Sequence, residues 1–156
     1  DKAAVLEFQN EVSALRRVVL GASNYLRELS NKLEIMAVAA KEGPSVPASV
    51  LTDIRKLEAE IAEISRTFRG DGTMAKRQHP TDPTVRDRVG SIVYGLWESS
   101  SAPTETMKES LKIAGEQFGE IYQKIKKVGE TDIVALEKKL DAAGAPYVPG
   151  RLPEWK

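Results

Sequence analysis

The stretch VLEFQNEVSALRRVVLGASNYLRELSNKLEIM, from Val5 to Met36, places apolar residues at alternating spacings of three and four. They are Val5, Phe8, Val12, Leu15, Val19, Ala22, Leu26, Leu29, Leu33 and Met36. Such a stripe is the seam of a helix that packs lengthwise on other helices. At about 1.5 Å per residue the stretch spans roughly 48 Å, too long to lie on a small α/β core. The remaining chain must supply the partner rods. Leu6, Leu20 and Ile35 fall off the seam and are expected to widen the apolar face toward a second neighbour. Gly21, beside Ala22, weakens a helix interior, so close approach of another helix is expected there.

The 156 residues point to one domain, long enough to bury a core without covalent staples. Hydrophobic residues at 41% and charged residues at 29% place the chain in the globular class. Lysine plus arginine equals aspartate plus glutamate, 23 each, which gives no electrostatic case for nucleic acid or an anionic membrane. With no cysteine, disulfide, thiolate and zinc–thiolate chemistry are excluded. The longest apolar run, Ile35 to Ala40, is far short of the roughly 20 residues that insert in a bilayer. The first residues already follow a helical pattern, which reads as the cut end of a mature chain or of a larger protein.

Outward from the first helix, expected over 3–41, the periodicity predicts helices over 48–68, 83–97 and 104–143. Their seams are Val50, Ile54, Leu57, Ile61, Ile64 and Phe68; then Val85, Val89, Ile92 and Leu96; then Met107, Leu111, Ala114, Phe118, Ile121, Ile125 and Val128. Asp82 is expected to cap the third helix, with Pro83 at its first position; Thr104 is expected to cap the fourth. Gly90 and Gly95 suit close packing of the third helix. In the last helix the stripe slips by one residue at Gly129 and resumes at Ile133, Leu136 and Leu140. One continuous helix with a stutter, ending at Gly144, is expected. The tail, 145–156, holds three prolines, yet Tyr147, Val148, Leu152 and Trp155 are expected to return it to the bundle surface. The reading is an all-α, antiparallel four-helix bundle of two long and two shorter helices, one domain over 1–156.

Few residues suggest chemistry. Helix bundles hold di-iron sites through Glu-x-x-His pairs; the only histidine, His79, has Lys76 three residues before it. Glu58, Glu60 and Glu63 form a solvated face, Asp71 lies in the long 70–82 loop, and Ser99, Ser100 and Ser101 suit a turn. No catalytic residue, cofactor or metal is expected. Arg69, Arg77, Arg86 and Arg88 flank the long loop and make that end mildly basic. It fits either an anion-docking site or a solvated end with local ion pairs. Tyr94, Trp97, Tyr147 and Trp155 concentrate aromatic surface in the third helix and the tail, which suits an interface or core packing alike.

The segments RDRVGSIVYGLWESSSAPT (86–104) and LDAAGAPYVPGRLP (140–153), with the stretch from Leu57-Glu58 to Gly70-Asp71, resemble the C-terminal helical region of large bacterial proteins. Those proteins carry an upstream sortilin-like β-propeller with repeats of the bacterial-neuraminidase type and are often labelled glycosyl hydrolases. The resemblance covers most of 50–153; the family usually has tryptophan where this chain has Tyr147. It implies a non-catalytic accessory or interaction domain, exported with its parent, whose partners are the upstream propeller or a second copy. Carbohydrate contact would come through the parent, and no catalytic residue carries over. An anion- or glycan-binding module at the 69–88 end, or a stand-alone oligomerisation protein, are the other readings.

Overall fold

In a computed structural model the chain is an all-α helical bundle; residues 2–70, 77, 82–98, 102–150 and 152–155 are described. The elements are α1 (Lys2–Glu42), α2 (Ala48–Arg69), α3 (Val85–Glu98), α4 (Glu105–Lys127), a π turn (Val128–Asp132) and α5 (Ile133–Ala142). Of the ten seam residues of α1, seven are buried and three half-buried. All six of α2 are buried, as are Val85, Val89 and Ile92 of α3. Each such side chain contributes about 1.5–3 kcal/mol on burial, so the stripes rather than propensity hold the rods.

Helix ends follow local chemistry. Gly70 and Gly144 take left-handed φ of 86° and 71°. At Gly144 the amide of Ala145 donates to Leu140 O and that of Gly144 to Asp141 O, a Schellman end that closes α5. Thr104 caps α4, its Oγ1 accepting from Met107 N at 3.1 Å. The cap of α3 is Thr84 rather than Asp82. Asp87 N donates to Thr84 Oγ1 and Thr84 N to Asp87 Oδ2, at 3.2 and 3.0 Å. This reciprocal box satisfies two orphan amides where Asp82 would satisfy one, and it starts the helix at Val85.

α4, the π turn and α5 form one continuous rod. The one-residue slip in the stripe is taken up by the π turn, where Ile133 N donates to Val128 O, five residues back. Val128, Ile133, Leu136 and Leu140 are all buried as a result. Gly129 leaves room for the Tyr25 phenol, which a Cβ at that position would displace.

Contacts gather into two units, residues 1–24 with 64–123 and residues 25–63 with 124–156. The first unit is built mainly from the start of α1, α3 and α4. Phe8, Val12 and Ile92 form a buried cluster capped by Val93, Leu96, Met107 and Leu111. Phe68, at the end of α2, meets Phe118 edge-on at 6.4 Å between ring centres. The second unit is built from the end of α1, α2, the π turn and α5. Within it Tyr25 lies against Gly129, Lys32 pairs with Glu137 and Gly43 faces Ala145, so α1 and α5 run in the same direction. With three main rods in a unit rather than four, first and last share a sense.

Several expectations from the sequence are corrected. Leu6, Leu20 and Ile35 are exposed and do not widen the buried face. Each is one residue from one seam position and two from the next, about 100° and 200° round the helix, which puts it outside the stripe. Gly21 and Gly90 have nothing within 4 Å of where a Cβ would be, so close packing explains neither; Gly95 does meet the Met107 methyl. Among the described residues of the tail only Ala145 and Val148 are buried, while Tyr147, Leu152 and Trp155 are exposed. Asp71, Lys76, His79 and Ser99, Ser100 and Ser101 lie outside the described residues.

Candidate interaction surface

The first unit carries a groove of about 270 Å³ between α1 and α3. Its α1 wall is Gln9, Ser13 and Arg16, spaced by four and three so that all project from one flank of the seam. Its α3 wall is Val93, Leu96 and Trp97, and the buried Val12 forms part of the floor. Val93 and Trp97, four apart, stand one turn above the other. Trp97 is 86% exposed, so its indole forms a free-standing rim rather than part of the core. Arg16 is exposed, and no carboxylate of the described residues pairs with it.

Tyr94 is exposed on α3, and its hydroxyl donates to Glu98 Oε1 at 2.6 Å. That bond to a carboxylate, with a smaller desolvation effect, raises the phenol above its ordinary value. The core-packing reading therefore fails for Tyr94, Trp97 and Trp155, and Tyr147 too is on the surface. The structure leaves Trp155 97% exposed at the end of the tail.

The four arginines differ in their surroundings. Arg69 Nη2 is committed to Ser23, donating to its Oγ at 2.6 Å and its carbonyl at 3.3 Å. Arg86 is exposed while Arg88, two residues on and so on the other side of α3, is half-buried with its Nε enclosed and without a hydrogen bond. Arg77 is an exposed turn residue.

The second unit has a shallow recess of about 280 Å³ bordered by Asp53, Lys56, Asp132 and Lys139. Its charges are largely spent on one another or nearby: Lys139 Nζ donates to Asp53 Oδ2 at 3.3 Å, and Lys127 lies 3.6 Å from Asp132. In the same unit Glu137, its side chain 7% exposed, pairs with Lys32, which is 32% exposed. The sequence reading missed both this pair and the Gln9–Ser13–Arg16 wall. The wall has a signal, three polar residues at helical spacing on the flank of the seam. The pair has one too, since Glu137 follows inward-facing Leu136 once the slip at Gly129 is allowed for.

Among the described residues no three histidine, aspartate or glutamate side chains gather as a metal site. No helix among them is long and apolar enough to cross a membrane. Compared with protein-family models, curated proteins and solved structures, the chain matches none.

Proposed function

We propose that the chain is a non-catalytic interaction domain, the helical accessory part of an exported β-propeller protein. The observation that carries this is the placement of both tryptophans on the surface, with Trp97 on the rim of a groove. An indole held in water forgoes most of its burial free energy, and aromatic anchors of this kind dominate the energetics of protein interfaces. A groove with one polar and one apolar wall supports recognition by shape and a few hydrogen bonds. The propeller, the export and the parent's glycosyl-hydrolase character enter through the resemblance of 86–104 and 140–153 alone.

The test is sedimentation of the isolated chain with and without the propeller region of its own reading frame. A complex that Trp97→Ala weakens supports the reading. A chain that sediments independently of its propeller and of itself overturns it.

A further inference from the structure

The groove and the tail are complementary, and we propose that the groove of one copy takes the Leu152–Trp155 segment of a second copy. This rests on reading the chain as an interaction domain and names its partner. The tail holds the apolar half of the match. Leu152 and Trp155 are 94% and 97% exposed, and the segment is neither helix nor strand. Beyond the turn at Pro149–Gly150, Pro153 biases the 152–155 segment to the polyproline II form, which has three residues per turn. Residues three apart then share a side, so Leu152 and Trp155 project together toward one surface.

The groove holds the other half. Proline-containing extended segments dock in grooves lined by aromatic rings, because little order is left to impose on them. Here the apolar wall of Val93, Leu96 and Trp97 would receive Leu152 and the Trp155 indole. Gln9 and Ser13 on the facing wall offer donors and acceptors to the tail backbone, whose amides have no ladder of their own. One charge pair is available: Glu154 lies between the two apolar residues, and Arg16 on the polar wall has no carboxylate of the described residues beside it. Each chain carries one groove and one tail, so each copy both gives and receives a segment.

The experiment uses the whole chain and a fluorescent peptide of residues 150–156. Wild-type chain is expected to dimerise with concentration in sedimentation equilibrium, and removal of 150–156 to leave it monomeric. The peptide should bind the truncated chain, and Trp97→Ala or Arg16→Glu should weaken binding about tenfold or more. Both sites are exposed, so folding is retained and checked by circular dichroism. Pairing Arg16→Glu with a Glu154→Arg peptide should restore binding, a readout that a merely structural effect would not give. A peptide that does not bind, or a dimer that survives truncation, overturns the proposal. So does a monomer whose tail blocks its own groove, seen as peptide binding to the truncated chain but no self-association of the full one. Binding to the propeller is read separately by the sedimentation experiment above, so a failed tail contact and a failed propeller contact are told apart.

Discussion

Lys32 and Glu137 allow the sharpest test of how the second unit is held. The two ends of this ion pair are unequal: the Glu137 side chain is 7% exposed and that of Lys32 is 32% exposed. Lys32→Met takes the ammonium away from a carboxylate that sits among buried residues. Removing one partner of a buried pair costs about 3–5 kcal/mol, most of it the desolvation of the charge left behind. The partial exposure of the pair places the expected loss at the low end, about 3 kcal/mol. Glu137→Leu leaves an ammonium that can reach water along its own flexible stem, so its expected loss is below about 1 kcal/mol. The double variant removes both charges and fills the site with apolar volume, and it should be close to wild type. Urea unfolding followed by helical circular dichroism gives all three values. In a chain of this size each kcal/mol moves the melting temperature by about 2–4 °C, so Lys32→Met alone should lower it by roughly 6–12 °C. Equal losses for the two single variants, or a greater loss for Glu137→Leu, would refute the reasoning from exposure.

Further expectations follow from backbone and surface features. Gly21→Ala should stabilise the chain by up to about 1 kcal/mol, read as a higher urea midpoint, because a methyl there meets nothing. Gly129→Ala should do the opposite despite better helix propensity, since the methyl collides with the Tyr25 phenol; in the Tyr25→Ala background the penalty should shrink, a coupling that a double-mutant cycle measures. Tyr94 should titrate above an ordinary phenol in ultraviolet absorbance, and Glu98→Ala should return it toward that value. Because the folded-state pKa is raised, the neutral phenol's contribution to stability is full below the unfolded value and is lost as pH rises through the folded one.

Much of the architecture was legible because the stripes are strict. The alternating spacing in α1 and α2 gives one solution for which face turns inward, and the structure adopts it. The slip at Gly129 was legible as a slip; that Tyr25, more than a hundred residues earlier, lies against that glycine was not, because local pattern cannot supply it. The start of α3 was misread because Asp82-Pro83 is a sound cap in isolation, and only the reciprocal bonds of Thr84 and Asp87 outcompete it. Leu6, Leu20 and Ile35 were misread for a different reason. Apolar character alone does not say that a neighbour exists on that side of the helix. The groove was half legible: Trp97 was singled out, but whether a residue adjacent to seam residue Leu96 turns in or out depends on the width of the neighbouring rod. Its facing wall on α1 is polar and sits far away in sequence, so nothing local joined the two.

The π turn also bears on what lengths of chain this rod can accept. Counted at constant α-helical spacing from Val128, the inward positions would be Asp132, Ala135 and Lys139, which would drive two charges into the interior. The surplus residue is what keeps Ile133, Leu136 and Leu140 there instead. Excising Glu130 or Thr131 therefore leaves the greasy positions aligned on an ordinary helix, whereas excising a residue from α4, where no surplus exists, rotates everything downstream by about 100°. A shortened chain of the first kind should still fold, and one of the second kind should not.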